Sequence, residues 1–76
     1  MTHEEIEARD RRRASVLARL AATGVLQYDV AALMRITPQA LSLMLTGEDA
    51  NFPQHRFAQA LEAIATLAPS TATKTE

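Results

Sequence analysis

The sequence predicts a small all-α domain of four or five helices, and three observations favour this class. Apolar residues recur at helical spacing in several segments, and no segment has a credible strand pattern. Two glycines and three prolines, residues that begin or end helices, separate those segments. The 76 residues include no cysteine, so stability must come from a helical core or from self-association rather than from disulfides.

The first helix is predicted from about His3 to Ala22. Thr2 and Glu5 have the spacing of a capping box, in which each side chain satisfies a free backbone N–H of the other residue. Gly24 supplies the left-handed residue that ends the helix. The N-terminal half is mostly polar and is expected to project past the core. The apolar stripe lies in the C-terminal half and consists of Val16, Leu17, Leu20 and Ala21.

Three shorter helices are predicted to follow, over residues 27–34, 38–46 and 53–68. Thr37 is expected to cap the third helix, with Pro38 at its first position, where the missing N–H costs nothing. Pro53 is expected to open the last helix and Pro69 to stop it. The domain therefore spans residues 1–68, and the small polar tail, residues 69–76, is predicted to be disordered.

Residues 27–46 have the pattern of a helix-turn-helix, in which two short helices meet at a fixed angle across a tight turn. This geometry requires apolar residues at fixed places and a small residue where the helices touch most closely. Ala31 is that small residue. The core of the unit is predicted to consist of Val30, Ala31, Met34, Ile36, Leu41 and Met44.

The string TPQALSLMLTGE, residues 37–48, resembles the recognition helix of the Cro/XRE-like phage-repressor DNA-binding domains. That helix often begins Thr-Pro-Gln-Ala, followed by an aliphatic residue and a serine. Gln27 is similar to the glutamine that commonly opens the family's second helix, and residues 52–64 are similar to its fourth helix. The resemblance covers residues 17–67 and implies a lambda-repressor-like fold, here with a long first helix.

Three positions depart from the family's pattern. Arg35 stands at the turn position that is usually glycine, and a left-handed backbone there would cost a non-glycine residue about 1–2 kcal/mol. Leu43 stands at a usually polar position that faces DNA. Leu26 replaces the threonine that normally caps the second helix. These departures bear on the strength and the partner of binding more than on the fold.

The resemblance implies a sequence-specific transcriptional regulator that binds duplex DNA, more often a repressor, from a phage, a plasmid or another mobile element. Two copies would bind a palindromic operator as a homodimer, with helix 37–46 in the major groove and half-sites about 34–36 Å apart. The bacterial cytoplasm or nucleoid is the expected location. The dimer surface is expected on the last helix, with Phe57, Leu61, Ile64 and Leu67, or on the first helix.

Gln39 is the leading candidate for reading bases, because an amide can bond the N6 and N7 atoms of adenine together. The full set of predicted base contacts is Gln39, Ser42, Leu43 and Thr37. The predicted phosphate contacts are Gln27, Arg35, Thr46, Arg56, Arg12 and Arg13. Plainer roles stay open: Thr37 as a helix cap, Ser42 as a packing residue, and the arginines as solvated charges. Residues 11–13 in particular are either a solvated, ion-paired face or a basic arm along the DNA backbone.

The charge, the motifs and the composition of the chain limit the classes of protein that the sequence allows. The net charge is −1, yet residues 9–19 carry five arginines and one aspartate, and such local basicity can support phosphate contact. No catalytic motif is present, so no enzyme is expected. His3 and His55 are too few to suggest a metal site, and no cofactor is expected. No apolar run approaches the roughly 20 residues that span a bilayer, and the charged N-terminus is unlike a signal peptide.

A protein-interaction module is the rival hypothesis: an antitoxin-like or regulatory subunit with a helix-turn-helix fold but without strong DNA binding. The low net charge, the acidic pair Glu48 and Asp49 beside the third helix, and an exposed Leu43 favour it. Dependence of binding on salt separates the two hypotheses, since contacts to phosphates weaken steeply with salt and an apolar interface does not.

Overall fold

Four α-helices account for most of residues 1–68, the part of the chain that the computed structural model describes. They are α1 (His3–Thr23), α2 (Gln27–Met34), α3 (Pro38–Thr46) and α4 (Gln54–Leu67). No strand occurs within residues 1–68, so the predicted all-α class is confirmed. The predicted helix stop at Pro69 and the predicted disorder of residues 69–76 lie outside the described residues.

Both ends of α1 are fixed by the local contacts that the sequence predicts. The backbone N–H of Thr2 donates to the Glu5 carboxylate at 2.8 Å, and the backbone N–H of Glu5 donates to the Thr2 hydroxyl at 3.1 Å. At the other end Gly24 is left-handed, with φ of 75°, and its N–H donates to the Leu20 carbonyl at 2.9 Å. These three bonds confirm the capping box and the glycine cap.

The turn between α2 and α3 is built around a left-handed Arg35, with φ of 62° and ψ of 41°. The N–H of Arg35 donates to the Ala32 carbonyl at 3.1 Å, and the N–H of Ile36 donates to the Ala31 carbonyl at 3.0 Å. This pair of bonds is a Schellman motif, which usually has glycine in the left-handed place. A left-handed backbone at this position costs a non-glycine residue about 1–2 kcal/mol, and Arg35 therefore carries that strain.

Thr37 starts α3 as predicted, since its hydroxyl accepts a hydrogen bond from the Ala40 N–H at 3.0 Å and Pro38 follows at the first helical position. The helix ends at Gly47, whose N–H donates to the Leu43 carbonyl at 2.7 Å. A Cβ at Gly47 would lie only 2.7 Å from that same carbonyl oxygen. The close approach explains why glycine ends this helix.

The core takes residues from all four helices and from the α3–α4 connection. α4 packs against α1 and α2, and α2 packs against α3. The wholly buried Phe52, in the connection, meets Phe57 edge to face with ring centroids 6.1 Å apart. The buried apolar residues are Val16, Leu20, Val30, Ala31, Met34, Leu41, Leu45, Phe52, Ala60, Ala63 and Ile64.

The predicted core of the α2–α3 pair is confirmed by burial. Val30, Ala31, Met34 and Leu41 are buried, while Ile36 and Met44 are partly buried and pack against the same core. In α1 the prediction is correct for Val16 and Leu20 only. The predicted stripe members Leu17, 37% exposed, and Ala21 lie on the solvent side.

From Arg9 onward the N-terminal half of α1 lies against the rest of the fold, which corrects in part the prediction, made from its polarity, that this half projects past the core. Arg13 is only 8% exposed, and its guanidinium reaches the end of α3. The Nε group donates to the Met44 carbonyl at 2.7 Å, and Nη2 donates to the carbonyls of Gly47 and Ala50 at 2.6 and 3.1 Å. One side chain thereby satisfies carbonyls in the last turn of α3 and in the following loop.

Arg9 and Arg12 hold the same loop from the neighbouring turns of α1. Arg9 is buried, and its Nη1 donates to the carbonyls of Glu48 and Ala50 at 2.9 and 3.0 Å. Arg12 Nε donates to the Phe52 carbonyl at 2.7 Å. We call Arg9, Arg12 and Arg13 the arginine clamp, because together they fix residues 44–52 against α1.

Charge inside the arginine clamp is only partly balanced. Asp10 accepts from Arg9 Nε at 3.2 Å and lies 4.0 Å from Arg13 Nη1. Burial lowers the pKa of the Arg13 guanidinium, the adjacent charge of Arg9 lowers it further, and Asp10 opposes both effects. The guanidinium stays protonated at neutral pH, because its ordinary pKa lies far above that range.

Within residues 1–68 no single helix is both long and apolar enough to cross a bilayer. α1 and α2 reach that length and apolarity only when taken together, and the chain bends by 119° between them. No group of three histidine, cysteine or acidic side chains in this part of the chain is placed to hold a metal ion.

Candidate nucleic-acid interface

The outward face of α3 presents every predicted base-contact residue to solvent. Leu41 and Leu45 anchor the opposite face in the core. Positions three and four apart share one side of a helix, so the outward residues form a continuous strip about two turns long. Its exposed members are Thr37, Gln39, Ser42, Leu43 and Thr46.

The polar groups on this strip differ in how much hydrogen-bonding capacity they have left. Within residues 1–68 no hydrogen bond engages the amide of Gln39, so its donor and acceptor are both available. The Thr37 hydroxyl accepts from Ala40 and keeps its own O–H as a donor. The Thr46 hydroxyl already donates to the Ser42 carbonyl at 2.8 Å. Gln39 and Thr37 are therefore the better-prepared donors.

Leu43 is the apolar member of the strip, with 60% of the residue exposed. It lies one turn after Gln39, on the same side of α3. A side chain of this kind can contact a thymine methyl group or an apolar patch on a protein. This exposed leucine falls at the centre of the outward face of α3.

The remaining predicted phosphate contacts lie on other elements. Gln27 is the first residue of α2 and is partly exposed, but Leu26 caps that helix without a side-chain hydrogen bond. Arg56, in the first turn of α4, is partly exposed and donates to Gln59 at 2.9 Å. Arg35 is exposed at the turn and borders a groove between α2 and α4.

The predicted phosphate contact of Arg13 is contradicted by its burial and by its three bonds to backbone carbonyls. Arg12 is held by the Phe52 carbonyl through its Nε, so it too has a structural role. Residues 11–13 therefore form neither a solvated, ion-paired face nor a basic arm along the DNA backbone, the two roles predicted for them. Both roles require exposed side chains, and only Arg11 is fully on the surface. Sequence reasoning missed this role because no local pattern marks the carbonyls that the arginines reach.

The arginine clamp contributes little positive charge to the surface, because its guanidinium groups are bonded to backbone carbonyls. Of the five arginines in residues 9–19, three donate to carbonyls, leaving Arg11 and Arg19 exposed. Glu48 and Asp49 are exposed immediately after α3. The face around α3 is therefore less basic than the count of arginines predicts.

The groove between the last turn of α2 and α4 was not predicted from the sequence. It has a volume of about 420 Å³ and is partly open to solvent. Leu33, 49% exposed, stands on its edge. The only hint in the sequence is that Leu33 falls outside the predicted core positions of α2. The other lining residues are Met34, Arg35, Gln59, Glu62, Ala63 and Thr66.

The apolar residues predicted to form a dimer surface on α4 pack instead in or against the core of a single copy. Ile64 is buried, while Phe57, Leu61 and Leu67 are partly buried and pack against the core. The exposed side of α4 instead carries polar or small residues, Gln59 and Glu62 among them. The apolar pattern of α4 is explained by the fold of one copy.

Comparisons with models of protein families, with curated proteins and with solved structures found no match for this chain. The class that the fold defines is an all-α domain of four helices within residues 1–68. Any finer assignment must rest on the geometry of the α2–α3 pair and on its exposed side chains.

Proposed function

We propose that this protein binds duplex DNA in a sequence-specific manner and represses transcription by occupying a promoter. The α2–α3 pair acts as a helix-turn-helix of the lambda-repressor type, and α3 enters the major groove. The observation that carries the proposal is the outward face of α3, where the unengaged Gln39 amide lies opposite Leu41 and Leu45 in the core. An α-helix fits the width of the major groove, where base edges differ in their hydrogen-bonding pattern.

In this proposal different residues of the strip on α3 make different contacts with the DNA. Gln39 bonds the N6 and N7 atoms of an adenine, and Leu43 contacts a thymine methyl. Thr37 and Ser42 donate from their hydroxyl groups to a base edge or to a nearby phosphate. Two copies bind a palindromic site, with half-sites separated by about one turn of DNA.

Phosphate contacts fix the register of the protein on the duplex without reading sequence. In this proposal Gln27, Thr46 and Arg56 supply them. The arginine clamp supports the same function indirectly, because Arg13 ties the end of α3 to α1. A reading helix that is held at both ends presents Gln39 in one orientation.

Selection from random duplex DNA on the purified protein tests the proposal. We expect a palindromic consensus, and we expect Gln39→Ala to erase the preference at one base pair in each half-site at a cost of about 1–3 kcal/mol. Because Gln39 is exposed and unbonded, its replacement should leave the free energy of unfolding unchanged. Gln54→Ala, which alters an exposed glutamine on α4, is the matched control.

The outcome that would refute the proposal is the absence of any enriched sequence at low salt. Arg56→Ala provides an independent check. It should weaken binding to all sequences about equally and lower the slope of log affinity against log salt by about one. A base-specific effect of Arg56→Ala would contradict its assignment to phosphate.

A protein-interaction module is the second candidate, and two observations favour it. The arginine clamp withdraws cations from the surface, and Glu48 and Asp49 are exposed beside α3. Leu43 would then be the centre of an apolar interface. Contact with six to ten phosphates should lose about 10³–10⁵ in affinity between 50 and 200 mM salt, whereas an interface centred on Leu43 should change little.

A further inference from the structure

The groove between α2 and α4 combines features that the proposed function does not use. Its floor includes Met34 and Ala63, both buried. Leu33 stands on the edge with half of its surface exposed. Arg35 and Glu62, both exposed, contribute opposite charges to the lining. An apolar floor with a cation and an anion at its border is a typical binding surface.

The backbone at Arg35 gives a second reason to expect a role for this surface. Arg35 is the one non-glycine residue with a positive φ within residues 1–68. Glycine would relieve that strain, and strained residues tend to occur where the side chain has a function. The Arg35 guanidinium has no ion-pair partner within residues 1–68. The position thus carries a strained backbone and an available cation at the edge of the groove.

We infer that this groove is the interface with a second copy of the chain. Two-fold symmetry makes every contact occur twice, so the patch must complement itself. This patch can do so, because it holds an exposed apolar side chain beside a groove and two opposite charges. In the inferred dimer Leu33 of one copy enters the groove of the other, and Arg35 pairs with Glu62 of the partner subunit. A different partner would have to supply both a projecting apolar residue and a pair of opposite charges.

The groove is also better suited to self-association than the apolar side of α4 or the outward side of α1. The apolar side of α4 is used in the core. The outward side of α1 presents Ala14, Ala18 and Ala21 around Leu17, a convex face of mostly small side chains. The inference deepens the proposed function and rests on it for its purpose, because a palindromic site requires two copies. Self-association itself can be measured without DNA.

Sedimentation equilibrium of the full chain over a range of concentrations, without DNA, tests the inference. We expect a reversible monomer–dimer equilibrium. Leu33→Asp should raise the dissociation constant of the dimer at least tenfold. The matched control is Leu26→Asp, which places the same charge at an exposed leucine outside the groove and should leave the constant unchanged.

Charge exchange provides the sharper test of the pairing. Arg35→Glu and Glu62→Arg should each raise the dissociation constant about tenfold, which corresponds to about 1.4 kcal/mol. The double variant should return it towards the original value, because the exchanged charges can pair again. Arg35→Glu leaves the backbone strain in place, since both residues have a Cβ. Glu48→Arg, the same charge change outside the groove, is the control.

A wild-type chain that is monomeric at all concentrations would overturn the inference. So would a Leu33→Asp variant that dimerises normally, or a double charge exchange that fails to restore the dimer. Circular dichroism of each variant checks that it is folded, and Leu33, Arg35 and Glu62 all lie at the surface. If the dimer behaves as expected but DNA selection yields no consensus, the proposed function fails and the interface stands. If a consensus appears but the dimer ignores these changes, the interface fails alone.

Discussion

Replacing Arg13 with methionine removes the centre of the arginine clamp while keeping a flexible apolar side chain in its place. The substitution deletes three hydrogen bonds, to the carbonyls of Met44, Gly47 and Ala50. It leaves the Met44 and Gly47 carbonyls without that donor, while the Ala50 carbonyl keeps its bond from Arg9 at 3.0 Å. Because these groups lie 31 to 37 residues from Arg13 in the chain, the loss should loosen the attachment of the α3–α4 loop to α1.

The magnitude follows from the number and type of bonds lost. Hydrogen bonds from a charged donor contribute about 1.5–3 kcal/mol each, and two of the three bonds of Arg13, at 2.7 and 2.6 Å, are short. They are not additive, because one guanidinium makes all three and its removal from water opposes part of the gain. We expect Arg13→Met to lower the free energy of unfolding by about 3 kcal/mol. A domain of this length has about 4–11 kcal/mol in total.

Urea denaturation followed by circular dichroism measures this loss. Arg11→Met is the matched control: Arg11 is exposed on the same helix and makes no side-chain hydrogen bond within residues 1–68, so its replacement should change stability by less than about 0.5 kcal/mol. Arg13→Lys should fall between the two, because an ammonium keeps the charge but cannot span three carbonyls as a planar guanidinium does.

A loss for Arg13→Met that is indistinguishable from that of Arg11→Met would refute the structural role of the arginine clamp. It would also restore Arg13 as a candidate for phosphate contact. In that case Arg13→Met should instead reduce the salt dependence of DNA binding, with stability unchanged.

Three further predictions concern the turn, the cap and the core, and each is measured by urea denaturation. Arg35→Gly should raise the free energy of unfolding by about 1 kcal/mol, because glycine relieves the left-handed strain; a loss of stability would show that the side chain contributes more than the strain costs. Thr37→Ala should lower it by about 1 kcal/mol through loss of the bond from the Ala40 N–H, and Thr37→Ser, which keeps the hydroxyl, should not. Phe52→Ala should lower it by about 3–5 kcal/mol, because Phe52 is wholly buried; a loss below 1 kcal/mol would mean that the loop is not part of the core.

Much of the secondary structure could be predicted because it depends on neighbouring residues. The Thr2–Glu5 box, the Thr37 cap and the Gly24 ending each involve atoms within four residues of one another. The start of α4 differs, since Pro53 precedes the first helical residue instead of being it, and α1 and α4 each end one residue away from the predicted position. The side of α3 that carries Gln39 follows from the positions of Leu41 and Leu45 by helical geometry alone.

The candidate site was predicted less evenly. Exposure of Gln39, Ser42 and Leu43 could be foreseen from spacing. The groove beside Leu33 could not, because its walls come from two helices that are separated in sequence by the whole of α3. Likewise, the sequence alone suggests that the apolar residues of α4 are available to a partner protein. Only the packing of the helices shows that Ile64 is buried in the core.

The sequence by itself determined where the helices begin and end and which side of α3 faces outward, because hydrogen bonds within one turn set the ends and helical periodicity sets the sides. Tertiary structure alone decided the role of the arginines of α1. Arg9, Arg12 and Arg13 look like surface cations in the sequence, yet in the fold their guanidinium groups satisfy carbonyls of the α3–α4 connection. Carbonyls at the end of a helix have no partner within that helix, and the fold brings those at the end of α3 within reach of the arginines of α1.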